Sequence, residues 1–425
     1  MQALAERDYY TDYEVLKNPY GYFDAVREKG PIYKPEGQDY YIVTGFEEAL
    51  TIMRNHDAFS AIINLQGAGS PLPFTPDGSD INDQIDMHRQ HFVGWDLVSN
   101  MDDDRHTKLR ALINTLFVPS RLKASQEFIN RYCDEMVGKA VADGKVELMS
   151  EIATPFVTMV VADLLGVPME DRKVFMDAIA AAPPPGSIDG KVTGDPAHSP
   201  FTIMAKYFWG YIADRRANPR DDILTEFAFA KYNDGSIPEA HDLVQLGMFM
   251  FGAGQDTSAK LLGTAVKFLI AQPDLQDRLR TDLTLIPAFL EEVLRLEGST
   301  KQEGRLARKD ATVGGVHIPA GSKIMIAIAG ANRDPRRWEN PNELRIGRPK
   351  IAEHVAFGRG KHTCAGAPLA RAEVRIIMEK LLSTTSKIDI DLEQHPNGVA
   401  GLNYDESFII HGLSALHVRL GSIDR

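Results

Sequence analysis

The sequence predicts a mainly α protein with a smaller β-rich lobe, and three observations carry that prediction. From about Arg105 to Leu285 the apolar residues recur at helical spacing almost without interruption. Between Arg305 and Ile328 the pattern changes to short alternating strands. No internal repeat, low-complexity tract or flexible linker divides the chain, so residues 1–425 are expected to form one domain.

The elements follow in order. A short amphipathic helix is expected over Tyr20 to Glu28, and a strand at Tyr40-Tyr41-Ile42-Val43. Residues 62–95 are rich in Gly, Pro, Asp and Asn and read as a long irregular segment with one short helix. The helical region breaks at Pro119, Pro168 and Pro238, and again across Pro183 to Pro200. A long helix runs from Glu239 to Ala271. Strands follow at Ala311–Val313, Val316–Ile318 and Lys323–Ile326, the first two joined by a Gly-Gly turn. A helix after Cys364 and a β-like segment from Phe408 to Leu420 close the chain.

Composition narrows the function classes. With 44% hydrophobic and 25% charged residues the chain can bury a large core. A net charge of −12 argues against a nucleic-acid surface and favours a self-repelling monomer. No run of eighteen apolar residues predicts a membrane span, and the N-terminus lacks the basic start and apolar stretch of a signal peptide. The two cysteines, Cys133 and Cys364, lie far apart and offer no disulfide framework, which suits a reducing cytoplasm.

The cysteines differ in setting. Cys133 sits in a helical stripe with Phe128, Ile129, Tyr132, Met136 and Val137, and reads as a small core residue. Cys364 lies in Phe357-Gly358-Arg359-Gly360-Lys361-His362-Thr363-Cys364-Ala365-Gly366, where three glycines let the backbone turn sharply and approach a flat ligand. A cysteine held that way can present a thiolate to iron, with backbone N–H groups aimed at the sulfur. The loop reads as a haem-thiolate site; a glycine-rich turn with a chance cysteine is the bland alternative.

Three further groups bear on chemistry. The middle of the long helix is Phe251-Gly252-Ala253-Gly254-Gln255-Asp256-Thr257-Ser258. Each glycine costs about 1 kcal/mol against alanine in a helix interior, and the use of small residues here would be room for a flat cofactor or a bound gas. Asp256 and Thr257 would then relay protons to a dioxygen site; a glycine-kinked helix with a solvated Asp and a back-bonding Thr fits the same residues. Glu292 and Arg295, three apart, share a helix face and can pair, with Arg348 as a third member of a buried network. His106 and Arg110, four apart, offer two donors to a carboxylate such as a haem propionate, with Arg305 and His362 adding donors from other segments; read alone, the pair also suits a surface patch.

In this order the segments resemble a soluble bacterial cytochrome P450 over nearly the whole chain. Pro19-Tyr20-Gly21-Tyr22-Phe23 and Gly30-Pro31-Ile32-Tyr33 look like the family's opening helix and strand. Asp256-Thr257, Glu292-x-x-Arg295, Ala331-Asn332-Arg333-Asp334-Pro335 and the Cys364 loop complete the pattern. The resemblance implies the P450 fold and haem b (iron protoporphyrin IX), with Cys364 as axial ligand and Phe357 near the sulfur. His106, Arg110, Arg305 and His362 would hold the propionates, and Glu292, Arg295 and Arg348 would support the cysteine loop. It implies a monooxygenase that hydroxylates a lipophilic small molecule (terpenoid, steroid, aromatic or fatty acid) with dioxygen. No dinucleotide or flavin fingerprint is visible, so electrons are expected from a ferredoxin and an NAD(P)H-dependent ferredoxin reductase. Lys108, Arg359 and Lys361 would offer the ferredoxin a basic patch.

One segment departs from the family. After Glu292-x-x-Arg295 it usually carries a proline and apolar pocket residues, whereas here it reads Ser299-Thr300-Lys301-Gln302-Glu303. Thr300 and Lys301 are therefore pocket candidates, Lys301 either binding a polar substrate group or pointing to solvent or a propionate. Phe249, Ala253, Ile409 and Ile410 would supply apolar walls. Segments 62–95 and 183–200 match the family's pocket caps. A peroxide-using enzyme of the same fold, or a non-catalytic haem protein binding a ligand or gas, are the alternative functions.

Overall fold

The computed structural model describes residues 3–116, 119–181, 185–187 and 200–423. Two lobes of unlike pattern meet in it, as the change of periodicity implies. The helical lobe is built around the helix Ala240–Ala271, against which the helices Thr154–Leu164, Pro200–Ala217, Ile286–Glu297 and Ala367–Thr384 pack. Its middle and C-terminal half put Ala259, Leu262, Ala265, Val266 and Leu269 into one apolar cluster with Phe289, Val293, Val374, Ile377 and Met378. Burying one such large side chain contributes about 1.5–3 kcal/mol. Cys133 is buried in the same cluster, as its helical stripe implies.

The β-rich lobe is a five-stranded sheet, ordered Ile32–Tyr33, Tyr40–Val43, Lys323–Ile326, Glu303–Ala307, Phe59–Ser60. Tyr40–Val43 runs parallel to Lys323–Ile326, with Ile42 opposite Met325. A parallel pair needs a long crossover, and here most of the helical lobe is inserted between the two strands. All other pairs in this sheet are antiparallel. The hairpin Ala311–Val313 with Val316–Ile318 forms where the Gly-Gly turn predicts it, both glycines having positive φ.

Boundaries agree closely in these segments: the first long helix is Pro19–Lys29, and the short helix of the 62–95 segment is Asn82–His88. One expectation is corrected. The final β-like run from Phe408 is strand only over His417–Ser422, which pairs with Thr385–Ile390 and with Lys145–Glu147. Phe408 to Leu416 instead runs irregularly, pinned by isolated bridges Thr300–Ile410 and Tyr404–Leu413. Its alternation came from contacts with separate segments, not from a ladder. Most of the 183–200 segment lies outside the described residues; its described part, 185–187, docks on the 407–409 turn, where the Phe408 N–H donates to the Gly186 carbonyl at 2.9 Å.

Candidate haem site

The cysteine loop is held by its own backbone and by three distant segments. Within it the Gly358 N–H donates to Val355 at 2.9 Å and the Cys364 N–H to Phe357 at 2.8 Å. Gly360 has φ +79°, and a Cβ there would meet the Met53 carbonyl at 2.4 Å and His56 Nε2 at 2.9 Å. Only glycine fits that close approach. Arg110 donates to the Thr363 carbonyl, and the Lys361 N–H to His56 Nε2 at 2.9 Å. The Cys364 side chain remains accessible, yet dense protein around it pushes the thiol pKa up, while the Gly366 and Ala367 N–H groups and Arg110 pull it down. N–H groups aimed at the sulfur are what a thiolate ligand requires. On the loop's other side Arg371 stacks over Phe357, 4.6 Å from the ring centre, and pairs with Glu291 at 2.9 Å; His354 bonds the same carboxylate at 3.0 Å.

Glu292, Arg295 and Arg348 form the expected buried network. Arg295 donates twice to Glu292 (2.9 and 2.8 Å) and Arg348 once (2.8 Å), all three side chains being essentially inaccessible. Arg295 also donates to the Asn332 carbonyl at 3.0 Å, and Asn332 Oδ1 accepts the Val355 N–H at 2.8 Å. A hydrogen-bonded path therefore runs from the triad through Asn332 to the irregular segment that enters the cysteine loop. Burial and paired guanidinium charges oppose each other at Glu292, and the guanidinium hydrogen bonds win, lowering its pKa.

The four predicted propionate donors come together only in part through each other. The His106 and His362 rings lie 4.6 Å apart, and His106 is buried with Nδ1 unpartnered. Arg305 is buried as well, donating to Glu303 Oε2 at 2.7 Å and leaving Nε without a partner. His362 Nε2 lies 3.3 Å from Asp102 Oδ1, and Asp102 also accepts from Ser60 and the Ala61 N–H. Spacing gave no signal for Asp102 or His56, because each reaches this cluster through the tertiary fold; Glu303 lies two residues before Arg305 on one strand. Unpartnered buried nitrogens on His106 and Arg305 are costly unless a partner completes them, and with the Nδ1–H tautomer of His106 this set fits the carboxylates of a haem. The three residues expected to greet a ferredoxin have partners of their own: Lys108 pairs with Asp234 at 2.8 Å, Arg359 donates to the Gly358 and Ala352 carbonyls, and Lys361 to the Asp102 carbonyl.

In the central helix, Phe249, Ala253 and Thr257 follow at four-residue intervals and none is fully buried. The Thr257 hydroxyl donates to the Ala253 carbonyl at 3.1 Å, the back-bonding alternative, which leaves its lone pairs free to accept. Burial, opposed by Lys260 and helped by Asp405, pushes the Asp256 pKa up to about 6. A Cβ on Gly252 would meet Phe201 at 3.2 Å, a tight contact, whereas one on Gly254 would meet Val161 at 3.6 Å, an ordinary one. Phe249 and Ala365, next to the cysteine, pack against one apolar cluster.

Thr300, Lys301, Ile409 and Ile410 are brought together as predicted, with the Lys301 N–H donating to the Ile409 carbonyl at 2.8 Å. The Lys301 ammonium takes none of the expected directions. It is wholly buried and donates to the Leu16 carbonyl at 2.8 Å, its pKa pulled down to about 7 by burial.

Comparison with known proteins decides the family. The family model described as Cytochrome P450 matches residues 201–386. A Pseudonocardia autotrophica vitamin D(3) 25-hydroxylase is 32% identical over 326 residues, covering 76% of this chain and 77% of its own. A substrate-free Mycobacterium marinum cytochrome P450, CYP150A6, is 40% identical with a TM-score of 0.91, covering 99% of this chain and 100% of that one. This chain is a cytochrome P450. It is thus a haem-thiolate monooxygenase, an oxidoreductase that draws on dioxygen and redox partners. A Bacillus megaterium P450, CYP109E1, solved with testosterone, is 25% identical with a TM-score of 0.78 over 95% of this chain and 99% of that one. Among the described residues of this P450, no helix is long and apolar enough to cross a membrane.

Proposed function

We propose that this P450 binds haem b through Cys364 and hydroxylates a small-to-medium lipophilic molecule, a steroid-like one fitting best. The reaction converts a substrate C–H to C–OH with one atom of dioxygen, the other leaving as water after uptake of two electrons and two protons. When bound, the haem iron supplies dioxygen activation, the thiolate donating electron density to it. The single observation that carries the reading is the Cys364 sulfur facing the Gly366 and Ala367 N–H groups, with the unpartnered His106 Nδ1 and Arg305 Nε buried nearby in sequence-distant segments.

In this reading His106, Arg110, Arg305 and His362 hold the propionates, and Glu292, Arg295 and Arg348 keep the loop in place. Asp256, ionising near neutrality, delivers protons, and Thr257 accepts them or positions a water with its free lone pairs. Phe249, Ala253, Thr300, Ile409 and Ile410 line the substrate region; Lys301 drops out as a substrate ligand because its ammonium is engaged with Leu16. Relatives named for vitamin D(3) hydroxylation and solved with testosterone support the steroid-like class. Electrons come from a ferredoxin and its NAD(P)H-dependent reductase, and the chain works as a cytoplasmic monomer of one domain over 1–425, readings that rest on charge, cysteine usage and the lack of a flavin fingerprint in the sequence.

The test is spectroscopic. Reduced protein with carbon monoxide should show the red-shifted Soret band of a thiolate-ligated haem, and Cys364→Ala should abolish it. A wild type without that band refutes the site.

A further inference from the structure

Lys260 lies one turn beyond Asp256 on the central helix, at the i+4 position. Its ammonium touches Asp405 at 2.5 Å, donates to the Leu413 carbonyl at 2.9 Å and stands 3.9 Å from Asp256 Oδ1. The stem is clamped as well, since a Cβ on Gly412 would collide with its carbons at 2.4–2.5 Å. Asp256 Oδ2 is buried without a hydrogen-bond partner. One largely buried cation is thus shared by two carboxyl groups from distant parts of the sequence, in contact with one and just out of contact with the other.

We propose that Lys260 is a positioning residue for Asp256, and that competition from Asp405 for its ammonium sets the charge state of the carboxyl that delivers protons. This rests on Asp256 acting in proton delivery.

The physical argument is electrostatic. When the Asp256 carboxyl gives up its proton it becomes a buried carboxylate whose Oδ2 has no donor, a costly state without a counter-charge. The Lys260 ammonium can meet that charge by closing a gap of about one ångström beyond contact distance, sliding from Asp405 without leaving the Leu413 carbonyl. Reprotonation of Asp256 by solvent water returns the ammonium to Asp405. Among the described residues the groups around this pair are these. Asp405 follows the bridge residue Tyr404, and Lys301, from the segment after the triad helix, feels the Asp405 charge. The neighbouring cluster holds Lys267, Glu297, His411 and Tyr404, with Lys267 bonded to Glu297 and to the Tyr404 hydroxyl at 3.1 Å.

Because Lys260 favours the Asp256 carboxylate and Asp405 disfavours it, the two substitutions should act in opposite directions, which a merely structural role would not produce. The experiment is a pH titration of the holoenzyme by difference infrared spectroscopy, following the protonated carboxyl C=O band assigned to Asp256 by its loss in Asp256→Asn. Lys260→Met should move the midpoint up, and Asp405→Asn should move it down, each by about one pH unit or more. Lys260→Arg, which keeps the charge, should restore a midpoint near that of wild type. Shifts in the same direction, or no shift in either variant, would overturn the proposal. If Lys260→Met does not fold, the Asp405→Asn arm decides: a downward shift supports the competition, an unmoved or raised midpoint refutes it. The underlying reading fails separately: if Asp256→Asn leaves the coupling of NAD(P)H use to product unchanged, Asp256 is no proton donor, while the infrared midpoints still judge Lys260.

Discussion

Asn332 holds Val355: its side-chain oxygen accepts the Val355 N–H at 2.8 Å, while its own carbonyl takes the Arg295 guanidinium. This one residue joins the buried triad to the chain entering the cysteine loop. Asn332→Ala leaves a buried N–H unpaired at Val355, at a cost of about 1–3 kcal/mol. Thermal unfolding should show that loss, together with a lower haem content per chain. A variant of wild-type stability and full haem content would mean that the loop does not depend on this link.

Removing the acid of the triad should be far more damaging. Glu292→Gln takes away the charge shared by Arg295 and Arg348, both buried. Breaking one side of a buried ion pair costs about 3–5 kcal/mol. Denaturant unfolding should place Glu292→Gln well below Asn332→Ala in stability, and a smaller loss than in Asn332→Ala would contradict the geometry.

Glu373 gives the fold a pH dependence. On the helix after the cysteine it is fully buried beside Ser258, with Oε1 unpartnered, and burial pushes its pKa up to about 8. A carboxyl raised in this way binds its proton more tightly folded than unfolded. Its contribution is complete below the ordinary carboxylate value of about 4.3 and is lost as pH rises through 8, by up to about 1.4 kcal/mol per unit. Stability of wild type minus that of Glu373→Gln should therefore fall between pH 5 and 8 in urea titrations. A flat difference would show that Glu373 ionises normally.

Lys301 has the opposite sign. Its amine is pulled down to about 7 in the fold against about 10.4 in the unfolded chain. The unfolded state binds the extra proton, so stability relative to Lys301→Met should rise as pH goes from 7 to 10. The same variant should bind acidic and neutral substrate analogues with an unchanged ratio, read from haem spin-state titrations. A selective loss of the acidic analogue would return Lys301 to the pocket.

Local pattern made some of this legible. The Gly-Gly hairpin, the strand Lys323–Ile326 and the long helix follow from periodicity and turn chemistry within a few residues of each other. Glu292 with Arg295 was readable because both lie on one helix face, and Cys364 because glycines at 358, 360 and 366 mark a backbone that must bend and come close. Asp102 and Asp405 were not readable. Their partners lie up to 260 residues away, as for Asp102 and His362, and no spacing rule spans that distance. Gly252 lies close to Phe201 of a neighbouring helix, so a small residue there suits packing as well as a ligand.

The anchoring of Gly360 against Met53 and His56, of Thr363 on Arg110 and of Val355 on Asn332 has a consequence for biosynthesis. A ribosome releases residue 53 some three hundred residues before residue 360, so the seat of the thiolate can close only after nearly the whole polypeptide has emerged. Such long-range closure is slow, and nascent or truncated chains lack the finished cradle. Cofactor capture then becomes a late event that reports on whether the entire chain has folded.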